Sequence, residues 1–76
     1  MMTHEQMKII TKGSIVQLDP NADDRFGGCL FIVSEKKDWG IQGYTSIPAE
    51  DGTKQAYYRA KWEELRYCGE ASWYLP

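Results

Sequence analysis

The sequence contains few of the residues on which catalytic and metal sites are most often built. It has a single histidine, His4, and two cysteines, Cys29 and Cys68, which lie far apart along the chain. A lone histidine near the start of the chain provides no Ser-His or Cys-His pair on a rigid element. Structural zinc sites use paired ligands such as Cys-x-x-Cys, and the chain has no such pair. We therefore expect no enzymatic activity, no metal ion and no small-molecule cofactor.

Two cysteines are also too few for a typical small secreted domain that is held together by several disulfides. We interpret both as buried thiols in a reducing cytoplasm, with a single bridge between two strands as the alternative. The chain has no apolar run near the ~20 residues that span a bilayer. Its first residues, MMTHEQMK, lack the apolar core of a signal peptide. These absences predict a cytoplasmic protein without membrane contact.

Charge of one sign is not concentrated anywhere in the chain. The formal net charge is −2, from nine Lys and Arg against eleven Asp and Glu, and no basic tail or acidic arm is present. Proteins that bind nucleic acid usually cluster Lys and Arg where they meet phosphates. The pattern therefore does not favour nucleic acid as a partner, although it leaves this open.

The chain does have many aromatic and β-branched residues in short alternating runs. Its 76 residues are 42% hydrophobic and 13% aromatic, which is enough for one small domain with an aromatic-rich core. Residues 1–12 are predicted to form a flexible or edge-strand N-terminus. Residues 13–76 are predicted to form a single domain.

Alternation of apolar and polar residues predicts five short strands separated by turns. A charged turn, Lys36-Lys37-Asp38, joins the second strand to the third. Helix is the alternative for residues 54–67, which are rich in good helix formers, and a single helical turn near residues 61–65 is compatible with a strand before it. Together these signals indicate a mainly β fold, a small five-stranded antiparallel barrel. The predicted strands are residues 14–18, 29–35, 39–47, 54–62 and 65–69.

Several motifs resemble an SH3-like barrel of the KOW/Tudor type. They are Gly13-x-x-Val16-x-Leu18, Gly28 leading into Phe31-x-Val33, Tyr58-x-Ala60-x-Trp62, and Glu64-Leu65-x-Tyr67-x-Gly69. The segments FGGCLFIVSE, WGIQGY and YYRAKWEELRYCG are also similar to small uncharacterised proteins of tailed bacteriophages and prophages. The resemblance implies an SH3-like β-barrel in the cytoplasm of a bacterium or an infected host cell. Because KOW-type barrels often bind nucleic acid, it implies a nucleic-acid-binding alternative as well.

The candidate partner-binding residues are aromatic and basic side chains on predicted turns and strand surfaces. Exposed aromatic patches on small soluble proteins usually mark interfaces. For Trp39, Tyr57 and Trp73, a place in the core is an equally good interpretation. Tyr58 and Trp62 are assigned to the core outright. The full candidate set is Lys36, Lys37, Trp39, Tyr44, Tyr57, Arg59 and Trp73.

The function that these observations favour is binding to another protein. We expect a non-enzymatic phage or prophage accessory protein that acts by protein–protein contact, including self-association through an exposed strand edge. The alternative is a KOW/Tudor-like barrel that binds nucleic acid. In that case bases would stack on Trp39 and Tyr57 while neighbouring cations meet the phosphates.

Overall fold

A computed structural model describes residues 2–70 of the chain. The prediction of a mainly β protein with five antiparallel strands is confirmed, and so is the short helical turn after the fourth strand. The stretch for which helix was the alternative forms a strand as far as Lys61. The elements are α1 His4–Ile9, β1 Ser14–Leu18, β2 Leu30–Lys36, β3 Gly40–Ala49, β4 Gly52–Lys61, a 3-10 helix Trp62–Glu64 and β5 Leu65–Glu70.

All five strands belong to one antiparallel sheet. Their order across the sheet is β4-β3-β2-β1-β5, so β4 and β5 are the two edges. No ladder joins these two edges in the part of the chain that the structure describes, and the sheet is therefore open. The described strands therefore do not form a closed barrel.

The sheet is nevertheless strongly coiled, because its two edge strands are neighbours along the chain. Only the 3-10 helix separates Lys61 at the end of β4 from Leu65 at the start of β5. Laid flat, five strands would put the edges about 19 Å apart, whereas four extended residues span at most about 14 Å. Two bulges help the strands bend. One lies between Ile15 and Val16 against β5, and the other between Val33 and Glu35 against β3.

The core lies on the concave face of this coiled sheet. Apolar side chains at alternate positions of each strand point inward, as period-two patterning requires. Phe31 is the largest fully buried side chain, and its ring packs 5.6 Å from that of Tyr58. The buried hydrophobic residues of the strands are Val16, Leu18, Phe31, Val33, Ile41, Ala60 and Leu65.

For the N-terminus, where a flexible segment or an edge strand was predicted, the structure has a helix in place of the edge strand. Residues His4–Ile9 form a helix, and Met2 and Ile10 on either side of it are buried in the core. The helix begins with a capping box, in which the N–H of Gln6 donates to Thr3 Oγ1 and the N–H of Thr3 donates to Gln6 Oε1. This Thr-x-x-Gln pattern is a start signal that is readable in the sequence. No helix in residues 2–70 is long and apolar enough to cross a membrane.

Candidate functional site

The turn between β2 and β3 is tight, and Trp62, which follows β4 directly, holds it by hydrogen bonds. The N–H of Lys37 donates to the carbonyl of Gly40 at 2.8 Å, which leaves Asp38 and Trp39 as the tip. The indole N–H of Trp62 donates to the carbonyl of Asp38 at 2.8 Å. Trp39 itself is 40% exposed. The turn therefore presents an aromatic ring on a fixed backbone.

The two candidate lysines of this turn each make a local contact. Lys36 pairs with the inward-facing Ile41, and its Nζ donates to the carbonyl of Lys8 at the end of α1. Lys37 Nζ lies 2.7 Å from Glu35 Oε1, the one ion pair among the described residues. Both cations are thus engaged locally, and Lys36 lies on the side of α1, away from the other candidates.

Tyr44 and Tyr57 are brought together across β3 and β4. They are directly opposite in the ladder, and their ring centroids are 5.8 Å apart at an interplanar angle of 56°. Tyr44 is half-buried, whereas Tyr57 is 64% exposed. A cross-strand aromatic pair of this kind stabilises the sheet by up to about 1 kcal/mol, but it leaves most of the Tyr57 ring available to a partner.

Arg59 and Trp39 form a second contact on the same side of the sheet. The guanidinium carbon of Arg59 lies 5.1 Å from the centroid of the Trp39 ring, which is cation–π geometry. Because Arg59 is two residues beyond Tyr57 on β4, both side chains share the face that points away from the core. Trp39, Tyr44, Tyr57 and Arg59 thus come together on one surface.

Aliphatic side chains that sequence reasoning did not select extend this surface across the sheet. Ile32 is the ladder partner of both Ile15 and Tyr44, and Leu30 is two residues before it on the same face. Leu30 is 54% exposed. The sequence signal was present, since Leu30 and Ile32 alternate with buried Phe31, but apolar residues on both faces of a strand usually indicate that both faces are covered. We call this surface the outer aromatic face: Ile15, Leu30, Ile32, Trp39, Tyr44, Tyr57 and Arg59.

The other aromatic predictions have mixed outcomes. Tyr58 packs between Phe26 and Phe31 at the edge of the core, with centroids 5.5 and 5.6 Å away, and it is half-buried. Trp62 packs against the core as predicted, although it is half-buried and begins the 3-10 helix rather than ending a strand. Trp73 lies outside the residues that the structure describes.

The prediction of two buried thiols needs correction. Cys29 is half-buried beside the core, but Cys68 is exposed, and neither forms a disulfide. Alternation along β5 from the buried Leu65 puts Cys68 on the exposed side, and Cys68 is also the extra residue of a bulge, where Val16 pairs with Tyr67 and Ile15 pairs with Gly69. Cys68 therefore has no partner opposite it on β1. No group of three potential metal ligands occurs within residues 2–70.

The titratable groups with shifted pKa values lie in the loop between β1 and β2, on β4 and on β5. The backbone N–H groups of Phe26 and Arg25 donate to Asp23, and these bonds lower the pKa of its carboxyl. Burial raises the pKa of Tyr58, whose hydroxyl lies 3.4 Å from Asp23. A hydrogen bond to Glu70 raises the pKa of Tyr67. Each shift follows from a contact that shapes a loop or a strand end.

The chain has no match among known proteins in any of three comparisons. No protein-family model, no curated protein and no solved structure matches it.

Proposed function

We propose that this protein is a non-enzymatic binding module that contacts a protein partner through the outer aromatic face. The observation that carries the proposal is the joint exposure of Tyr57, Leu30 and Trp39, at 64%, 54% and 40%, on one side of a sheet whose other side is the core. Large apolar side chains gathered on one surface usually mark an interface. Aromatic residues and Arg are enriched in interfaces, whereas Lys and Glu are depleted.

The arrangement of side chains on this face also suits protein recognition. The Tyr57 ring packs against Tyr44, and the Trp39 ring packs against Arg59, so both exposed rings are already positioned in the free protein. A ring that is already immobilised loses little conformational entropy on binding, which favours affinity. Such anchors, surrounded by the aliphatic Ile32 and Leu30, have the composition of an interaction hot spot.

We further propose that the coiled sheet is a partly open SH3-like barrel. Support comes from the strand order, from the two bulges, and from the 3-10 helix that links the edge strands β4 and β5. A phage or prophage accessory role in a bacterial cytoplasm is the proposed setting, and it rests on the similarity of the three segments quoted above.

Nucleic-acid binding is the second candidate. Lys61 and Arg66 are exposed at outward-facing strand positions, and bases could stack on Tyr57. The contacts of Lys37 with Glu35 and of Arg59 with Trp39 reduce the charge that is available to phosphates. The number of uncommitted cations on this side of the sheet is therefore small.

Affinity capture with a matched pair of variants tests the proposal. Tyr57→Ser removes the most exposed ring of the outer aromatic face, whereas Lys54→Ser changes an exposed residue on the opposite face of the same strand. Both should fold normally, because exposed substitutions usually change stability by less than about 0.5 kcal/mol. A protein partner that is captured by the wild type and by Lys54→Ser should be lost with Tyr57→Ser. Equal capture by both variants would contradict the proposal.

Gel mobility of DNA and RNA at low salt tests the second candidate. Binding that weakens steeply as salt is added, and that is lost with Lys61→Gln or Arg66→Gln, would replace a protein with nucleic acid as the partner. Unchanged mobility of both nucleic acids at low salt would remove this candidate.

A further inference from the structure

The free side of β4 is unusually regular for the edge of a sheet. Its ladder to β3 runs through ten consecutive pairs, from Gly40 opposite Lys61 to Ala49 opposite Gly52, without a bulge. β4 also contains no proline. Natural sheets usually protect their edges with short strands, bulges, proline or charged side chains, and of these devices β4 has only the charged Lys54, Arg59 and Lys61. A regular ten-residue edge is therefore a site at which a further strand can add.

The hydrogen bonds at the end of β4 show which backbone groups point outward. The N–H of Trp62 donates to the carbonyl of Trp39, toward β3, whereas the N–H of Lys61 donates to Glu64 Oε1, away from β3. Successive residues of an antiparallel strand direct their N–H and C=O groups to opposite sides. Alternate residues before Lys61 therefore point outward too, and none has a hydrogen-bond partner for its backbone within residues 2–70. They are Thr53, Gln55, Tyr57 and Arg59.

We propose that a second copy of this chain occupies this edge, with β4 antiparallel to β4 about a two-fold axis at Ala56. In this register Thr53 of one copy lies opposite Arg59 of the other, and Gln55 lies opposite Tyr57. All four outward-pointing residues of each copy then form ladder hydrogen bonds, and none is left over. The row ends at Lys61, whose N–H is already bonded by Glu64.

Side-chain size and charge fit this register. Ala56 meets its own copy at a non-hydrogen-bonded position, where Cα atoms approach to about 4.5 Å and a small side chain packs best. Lys54 lies opposite Tyr58, and Arg59 lies opposite Thr53, so no cations stand directly against each other. Moving the axis by one residue to Tyr57 would instead pair Thr53 with Lys61, whose N–H is not available.

With a second copy of this chain as the occupant, the outward-pointing backbone groups of both paired β4 strands form hydrogen bonds at the same time. The two-fold axis buries the same edge on each chain, so this interface closes with two copies. The sheet becomes continuous through ten strands. This inference goes beyond the proposed function, because it uses the backbone of β4 rather than the rings of the outer aromatic face, and either can fail without the other.

The first test removes one outward N–H without touching the ladder to β3. Proline is tolerated at edge positions whose N–H faces away from the sheet. Sedimentation over a wide range of protein concentration should show a dimer for the wild type and for Gln55→Ala. Gln55→Pro should shift the protein to monomer with an unchanged circular dichroism spectrum. A wild type that stays monomeric up to millimolar concentration overturns the proposal, and so does a Gln55→Pro variant that is folded and still dimeric.

The second test fixes the register by cross-linking. In a Cys68→Ser background, Ala56→Cys places two thiols at the axis, within reach of a disulfide after small adjustments. Lys54→Cys in the same background is the matched control, because its thiol lies opposite Tyr58. Oxidation should yield covalent dimer with Ala56→Cys and little with Lys54→Cys. The reverse result overturns the register. Tyr57→Ser keeps the backbone groups and should remain dimeric, which separates this test from that of the outer aromatic face.

Discussion

The indole N–H of Trp62 donates a hydrogen bond of 2.8 Å to the backbone carbonyl of Asp38. The backbone N–H of Trp62 also donates to the carbonyl of the next residue, Trp39, at 3.3 Å. One residue after β4 therefore fixes the turn between β2 and β3 by two bonds, one from its side chain and one from its backbone. Since that turn carries the exposed ring of Trp39, the position of the outer aromatic face depends on a residue that is not part of it.

Two substitutions of Trp62 should distinguish the stability that its packing contributes from the stability that its side-chain hydrogen bond contributes. Trp62→Phe keeps most of the packing against the core and loses the bond to Asp38, which should cost about 1 kcal/mol. Trp62→Ala also loses the packing, and we expect a total cost of about 3 kcal/mol. Chemical denaturation of both variants measures these costs. If Trp62→Ala were as stable as the wild type, the anchoring role would be wrong.

Gly40 is required where the turn meets β4. A Cβ at this position would overlap the backbone carbonyl oxygen of Ala60 and approach Lys61 Cα to 2.8 Å. Neither backbone atom can move without disturbing the ladder, so Gly40→Ala should destabilise the protein by about 3 kcal/mol. Gly52→Ala is the control. Its Cβ would meet no atom within 4 Å, and only the positive φ of 126° opposes it, at about 1–2 kcal/mol. Equal thermal stability of the two variants would contradict this account.

The loop between β1 and β2 should make a contribution to the stability of the protein that depends on pH. Hydrogen bonds from Phe26 and Arg25 hold the pKa of Asp23 below its ordinary value of 3.8. A carboxyl with a lowered pKa in the folded state stabilises the protein above the ordinary value, and this is lost as the pH falls through the lowered pKa. Asp23→Ala should therefore melt below the wild type at neutral pH, with a gap that narrows in acid. Asp24→Ala, which removes none of these bonds, should show no such narrowing.

The two cysteines should react at different rates. Cys68 is exposed on β5, whereas Cys29 is half-buried against the core. A thiol reagent applied to the native protein should label Cys68 rapidly and Cys29 slowly, because access to the sulfur limits the reaction. Cys68→Ser should remove the rapid phase, and Cys29→Ser should leave it intact. Rapid labelling of the Cys68→Ser variant would show that the thiol of Cys29 is as accessible as that of Cys68, and would contradict this prediction.

The candidate site could be predicted in part, because its members carry a local signal. Tyr57 and Arg59 alternate with inward-facing residues on a strand, and Trp39 follows a charged turn, so they could be selected as candidates, although a place in the core was an equally good interpretation for Trp39 and Tyr57. Lys36 belonged to the same turn by sequence. Only the fold of residues 4–9 as a helix brings the carbonyl of Lys8 within 3.3 Å of its Nζ and takes it away from the others.

The residues by themselves determined five strands and, where one face is polar as in β4, the inward face as well, because alternation with a period of two is a local property of a half-buried strand. Tertiary structure alone decided which strands are neighbours, how they are aligned and where they bulge. Those features depend on pairs far apart in the chain, such as Ile15 with Gly69 and Tyr44 with Tyr57. A bulge leaves one residue without a partner on the neighbouring strand, as at Cys68, and its position follows from the fit of two strands rather than from either one. These pairings between distant residues assemble the outer aromatic face, and they leave the outer edge of β4 unpaired within the described chain.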